Sequence, residues 1–149
     1  MAVTQCELPD CNPPSLEVVD LLAGCRKIAV VGISPKETRD SNRVARYLIE
    51  KGYDITPVNP GQKEILGRPC FRTLSDIPFK VDMADLFLKP SRVPAVVEQA
   101  IEMGVRCIWM QLGVVNNEAA VKARAAGITV VMNMCIMREH MKLPQTVSG

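Results

Sequence analysis

Ile28-Ala29-Val30-Val31-Gly32-Ile33-Ser34-Pro35-Lys36-Glu37 reads as a strand that runs into a ligand-facing turn. Four consecutive apolar residues, three of them β-branched, mark a strand buried on both faces, the pattern of a parallel sheet covered by helices. Gly32 releases the chain into the turn. Ser41 or Asn42 then caps a helix whose Val44, Ala45, Leu48 and Ile49 share one face until Gly52 stops it. Residues 53–58 form the second strand, followed by the turn Asn59-Pro60-Gly61. Such a strand, helix and strand make a right-handed crossover between parallel neighbours.

The same unit recurs downstream. Residues 83–88 form a third strand, and Ser91 opens a helix carrying Val93, Val97, Ala100 and Ile101 up to Gly104. A fourth strand at 106–110 leads to a helix capped by Asn116 or Asn117, bearing Ala120, Val121 and Arg124 and ended by Gly127. A fifth strand at 129–132 precedes a last helix at 134–143, closed by Pro144. Residues 64–69 are a short extended excursion, and upstream Ser15 caps a helix with Leu16, Val19 and Leu22 at helical spacing. The expected fold class is α/β, a Rossmann-like doubly wound parallel sheet of about five strands. It forms a single domain at 15–143 between irregular tails at 1–14 and 144–149.

Composition agrees with this plan. The chain has 149 residues, 48% hydrophobic and 23% charged, with six aromatics, which suits one domain with an aliphatic core. A net charge of +2 is too mild for a nucleic-acid surface. No apolar run is long enough to span a bilayer, and residues 1–14 carry Glu7, Asp10 and three prolines where a secretion signal needs a basic end and an apolar stretch. The expectation is a cytoplasmic protein without a membrane or nucleic-acid partner; its oligomeric state is not written in the sequence. The cysteines at 6, 11, 25, 70, 107 and 135 are expected as free thiols. Cys6 and Cys11 lack partner ligands at zinc spacing, so no metal site is expected.

Doubly wound sheets bind ligands outside the C-terminal ends of their strands. That rule selects loops 32–43, 59–64, 88–92, 110–116 and 132–138. They hold Lys36, Arg39, Arg43, Lys63, Lys89, Arg92 and Arg138 against Glu37, Asp40 and Glu64, a local excess of +4 on a chain of net +2. An NAD-type site needs G-x-G-x-x-G after the first strand and an acid at the end of the second. Here only Gly32 of the glycines is present, and Asn59 stands in place of the acid. A neutral amide with Lys63 nearby tolerates a phosphorylated ribose that a carboxylate would repel. NADP and coenzyme A both carry one. Gln111, leading into Leu112-Gly113 with no charge until Glu118, offers neutral hydrogen bonds to a pantetheine arm or a phosphate. Trp109 reads as core packing whose N–H needs a partner. His140, the lone histidine, reads as a surface or cap residue.

Several segments together resemble the small stand-alone CoA-binding proteins, whose domain is similar to the CoA-binding domain of the succinyl-CoA ligase α subunit. They are Ala29-Val30-Val31-Gly32-Ile33-Ser34, Arg39-Asp40-Ser41 with Arg43-Val44-Ala45, Val58-Asn59-Pro60 and Glu64-Ile65-Leu66-Gly67-Arg68. Phe87-Leu88-Lys89-Pro90, Trp109-Met110-Gln111-Leu112-Gly113-Val114 and Cys135 continue the series. The resemblance runs from about Arg26 to Met141. It implies that Gly32, Ser34, Arg39, Ser41, Arg43, Asn59, Pro60, Lys89, Gln111 and Gly113 lie near the ligand. Ile33, Lys36, Val58 and Leu112 on the same loops, and Cys135, complete the expected coenzyme A site. Arg46 is expected to lie farther from the loop. Where the family usually has Asp-Arg-Cys after the last strand, this chain has Asn133-Met134-Cys135.

The ligases transfer phosphate through a histidine on a second domain, which 149 residues do not accommodate, and no nucleophile, base and orienter converge on one loop. The expected function is non-catalytic binding of coenzyme A or an acyl-CoA as a small-molecule ligand, as a sensor or carrier. One alternative is a small NADP-dependent oxidoreductase, opposed by the missing glycines and the lack of a Tyr-Lys proton donor. Another is an interaction subunit whose nucleotide site is empty. Cys135, heading the last helix, reads in one of two ways: as a thiolate that forms a mixed disulfide with the coenzyme A thiol under oxidising conditions, or as a small buried residue with a structural role.

Overall fold

The computed structural model describes residues 12–144. In chain order these form α1 (Ser15–Gly24), β1 (Lys27–Val31), α2 (Asp40–Glu50), β2 (Asp54–Val58) and the hairpin strands β3 (Glu64–Ile65) and β4 (Arg68–Pro69). They continue as β5 (Met83–Leu86), α3 (Val93–Met103), β6 (Cys107–Met110), α4 (Asn117–Ala125), β7 (Thr129–Val131) and α5 (Ile136–Met141). Five strands make one parallel sheet in the order β2-β1-β5-β6-β7. This is the expected doubly wound α/β sheet. The chain leaves β1 toward β2, then returns past β1 to β5, so the loops after β1 and β5 part in opposite directions. A crevice opens between them, at the C-terminal edge of the sheet.

Alternation along the strands sends side chains to two cores. Ala29, Val31, Ala84, Leu86, Ile108 and Met110 pack on one face against Val97 and Ala100 of α3 and Ala120 and Ala123 of α4. Ile28, Val30, Met83, Cys107 and Trp109 pack on the other, against Leu21 and Leu22 of α1, Val44 and Leu48 of α2 and Ile136 of α5. Both edges of the sheet are tied. Phe71 adds a parallel bridge to Val58 beyond β2. At β7, the Asn12 side chain accepts from the Met132 N–H and donates to its carbonyl, at 2.8 and 2.9 Å, as a neighbouring strand would.

Several local expectations are corrected. The buried face of α1 runs through Val18, Leu21 and Leu22, and Leu16 on its first turn is 81% exposed. On α4 the alanines 119, 120 and 123 turn inward, which lets that helix approach the sheet closely, and Val121 faces out. The third strand stops at Leu86, because Phe87, Leu88 and Lys89 turn over the sheet edge toward a 3-10 turn at Pro90–Arg92 that precedes α3. The last helix is shorter than expected, with Cys135 at its N-cap position. Asn116 caps α4 as read, its side chain accepting from the Ala119 N–H at 3.0 Å. The hairpin turn places both Leu66 and Gly67 at positive φ, 57° and 73°.

Candidate functional site

The turn after β1 is fixed by contacts that sequence spacing alone does not show. Gly32 has φ 88°, and a Cβ there would lie 2.3 Å from the Phe87 carbonyl oxygen, so only glycine lets β1 and β5 approach at the crevice. Beyond it the Ser34 N–H donates to Ser41 Oγ, and Asn42 Nδ2 donates to the Ser34 carbonyl, both at 2.9 Å. Ser41 and Asn42 are therefore not the helix cap. They lie inside α2, buried, and hold the loop down onto it. The N-cap position belongs to Arg39, which makes no side-chain capping bond, so the first turn of α2 opens uncapped on the crevice. Arg46 donates to Asn42 Oδ1 and to the Glu37 carbonyl, each at 2.9 Å. It is a brace of this loop, contrary to the expectation that it lies apart.

The crevice is an open cleft of about 640 Å3 across the ends of β1, β5 and β6. Gly32, Ser34, Arg39 and Ser41 line one side. Lys89, Gln111, Leu112 and Gly113 line the other, so eight of the expected site residues come together here. Thr38, Asp40, Phe87, Leu88, Pro90 and Val114 join them and were not foreseen. The shortness of β5 brings Phe87 and Leu88 to the rim, and the switch-point rule applied to loop 88–92 is the signal that reaches Pro90. Asn116 Nδ2 holds the Pro90 carbonyl at 3.1 Å, which ties this lip to the cap of α4. The neighbouring loop on the same side is held by the Asn133 side chain, whose Oδ1 accepts from the Gly113 N–H at 2.8 Å. Asn133 itself sits at φ 60°, a conformation asparagine tolerates. The asparagine thus supplies the acceptor that an aspartate would supply, and the departure from Asp-Arg-Cys leaves this contact intact.

Other expected residues lie elsewhere. Ile33 and Val58 are core side chains. Asn59 spends both polar atoms locally, donating from Nδ2 to the Ile33 carbonyl at 2.8 Å and accepting from the Gly61 N–H at 2.7 Å. It joins the β1 and β2 loops and is off the cleft lining, as is Pro60. Lys36 is exposed, its N–H on Ser34 Oγ. Arg43 is off the lining and pairs with Asp40 at 2.9 Å. The lining consequently carries Arg39 and Lys89 against Asp40, less charge than the loop count suggested. Cys135 is buried in the Trp109 cluster, also off the lining, and heads a helix of six residues. Cys25, Cys70, Cys107 and Cys135 are free thiols, while Cys6 and Cys11 fall outside the described residues.

Asp85 and His140 are among the groups away from the cleft whose ionisation is perturbed. Asp85 is fully buried at the centre of the sheet, in register with Val30 on β1 and Trp109 on β6, and neither carboxyl oxygen has a hydrogen-bond partner. Burial holds its pKa well above the ordinary carboxylate range. His140 is half-buried rather than a surface cap. Its Nδ1 lies 2.7 Å from the Tyr47 hydroxyl, and its ring stands edge-on to Tyr47 and Tyr53. Burial and then the charges of Lys51 and Arg26 lower its pKa. Trp109 is core, as read, and donates from Nε1 to the Met134 carbonyl at 2.8 Å.

Among the described residues, Gln111 is the one lining residue with a buried side-chain polar atom that lacks a hydrogen-bond partner. It is 4% exposed, and its Nε2 has no partner.

Comparison with known proteins follows this geometry. A family model described as "CoA binding domain" matches residues 26–141. The uncharacterized protein YneT of Bacillus subtilis is 35% identical over 129 residues, covering 87% of this chain and 96% of that one. The structure of a hypothetical protein from Pyrococcus horikoshii superposes with a TM-score of 0.87 at 44% identity, covering 92% of this chain and 96% of that one. The α subunit of an ADP-forming acetate–CoA ligase from Pyrococcus furiosus is 33% identical over 96 residues, which are 60% of this chain and 21% of that subunit. Among the described residues no helix is long and apolar enough to cross a membrane.

Proposed function

The chain belongs to the CoA-binding domain family, and from that premise we propose that it binds coenzyme A or an acyl-CoA in the cleft without catalysing a reaction, as a sensor or carrier. The observation that carries this reading is the cleft itself. It lies at the switch point of the sheet, with the uncapped first turn of α2 and Arg39 on one side, and Gln111 among the largely apolar residues Phe87, Leu88, Pro90, Leu112 and Val114 on the other. A helix N-terminus and a guanidinium suit a pyrophosphate, and the apolar residues suit a neutral arm. The lining holds no tyrosine, histidine or cysteine, so it offers no evident proton donor for a nicotinamide reductase.

Calorimetry tests the reading. Coenzyme A binds more tightly than NAD, NADP or ATP. Absence of heat with coenzyme A, together with native mass spectra free of carried-over ligand, overturns it. Incubation with coenzyme A disulfide tests the thiol separately. There the Cys135 thiolate attacks one sulfur, the ligand's S–S bond breaks, and one coenzyme A thiolate leaves. A dithiothreitol-reversible adduct lost in Cys135→Ser supports a mixed disulfide. An adduct mapped only to Cys6 or Cys11 removes Cys135 from the function.

A further inference from the structure

A buried amide N–H without a partner is costly in a folded protein and is retained where something else supplies the acceptor. Gln111 Nε2 is such a donor, on a lining residue that is 96% buried, at the β6 end of the cleft. The residues around it on that side are Phe87, Leu88, Pro90, Leu112 and Val114, with Lys89 the single charge. The charges Arg39 and Asp40, and the open turn of α2, belong to the β1 end. β1 and β6 are separated by β5 alone, so the two ends lie two strand spacings apart, ~10 Å.

We infer that Gln111 is the residue that reads the pantetheine arm, donating from Nε2 to an amide carbonyl of that arm. This rests on the cleft being the coenzyme A site. With the pyrophosphate at the α2 turn, an extended arm carries its second amide about two strand spacings away and its thiol farther still. The acceptor at Gln111 is therefore an amide carbonyl and not the thioester of an acyl-CoA. The apolar neighbours suit the methyl and methylene groups of the arm. The cleft then selects ligands that carry phosphopantetheine, whatever acyl group the thiol bears, and discriminates against nucleotides without the arm.

The experiment is calorimetric titration of the parent and of Gln111→Leu with coenzyme A, 4′-phosphopantetheine and adenosine 3′,5′-bisphosphate, which lacks the arm. Gln111→Leu weakens the first two by about fivefold to tenfold, the worth of one hydrogen bond, and leaves the third unchanged. Acetyl-CoA loses the same factor as free coenzyme A. The apo variant melts no lower than the parent, since an unpartnered donor has been removed. Undiminished coenzyme A binding overturns the assignment. Equal loss of all three ligands, or a lowered melting temperature accompanying it, makes Gln111 structural and overturns it too. A loss confined to acetyl-CoA moves the contact to the thioester and also overturns it. A parent that binds none of the three defeats the coenzyme A reading beneath it, a result visible before any variant is made.

Discussion

On the α3 and α4 side of the sheet, Ala29, Ala84, Ile108 and Val130 meet Val97, Ala100, Ala120 and Ala123, a cluster built of aliphatic side chains. The α1, α2 and α5 side buries Trp109, Tyr53 and the thiols of Cys25, Cys107 and Cys135 among its aliphatics, with the unpartnered Asp85 beside Trp109 in the register. It also holds the hydrogen bonds that fix the loop after β1, from the Ser34 N–H to Ser41 Oγ and from Asn42 Nδ2 to the Ser34 carbonyl. The first side is held mainly by aliphatic packing. The other keeps polar groups in low dielectric, where each must be bonded or cost stability.

The largest contrast is expected between two glycines of similar φ. Gly32→Ala forces a Cβ onto the Phe87 carbonyl at the cleft, and unfolding in denaturant should show a loss of about 3 kcal/mol or more. Gly104→Ala, at φ 72° after α3 with nothing within 4 Å, should lose only about 1 kcal/mol. Equal losses would mean that conformation alone matters and that the close approach of β1 and β5 is relieved by a small shift.

Next come two neighbours on β5 that face opposite sides. Asp85→Val replaces an unpartnered carboxyl and should raise stability by about 1–3 kcal/mol at neutral pH. Ala84→Val, fully buried among the aliphatics, overpacks and should lower it by a similar amount. Asp85 also gives a pH signature. Its folded pKa is raised, so the folded chain binds more protons than the unfolded chain. The stability it contributes is complete below the usual carboxylate pKa, ~4, and is lost as pH rises toward the folded value. Melting temperatures of the parent should fall along that rise, and those of Asp85→Val should lack this slope.

The smallest effect belongs to His140, which opposes Asp85 in sign. Its folded pKa is lowered, so stability is complete above the free-imidazole value, ~6.5, and is lost as pH falls through the folded one. Because the ring is half-buried, solvent screens the change. His140→Phe should flatten the acid limb of the melting curve without altering its alkaline limb, a test in which the two groups are read separately.

Much of the fold was legible from local pattern. Apolar runs such as Ile28-Ala29-Val30-Val31, helical faces such as Val44, Ala45 and Leu48, and the helix stops at Gly52, Gly104 and Gly127 are properties of neighbours in sequence. The backbone converts them into strands and helices wherever they occur, and right-handed crossovers convert the alternation into a parallel sheet. The ligand edge follows from that sheet. Gly32, Ser34, Arg39, Lys89 and Gln111 could be named because the resemblance to small CoA-binding proteins falls on loops that follow strand ends.

Side-chain direction in the loops is a different kind of quantity. Arg39 and Arg43 are equivalent in composition and four residues apart, yet one lines the cleft while the other is off the lining and pairs with Asp40. Asn59 carries the chemistry of a ligand contact but uses it on Ile33 and Gly61, because the β1 and β2 loops meet there. Asp85 reads as one polar residue in a strand, and its burial depends on β1 and β6 closing on either side, β1 more than fifty residues upstream and β6 one helix downstream. Periodicity is local and survives in a sequence. The direction of a loop side chain, the partner of a buried carboxyl and the free N–H of Gln111 depend on groups that meet only when distant segments pack, and they were fixed there.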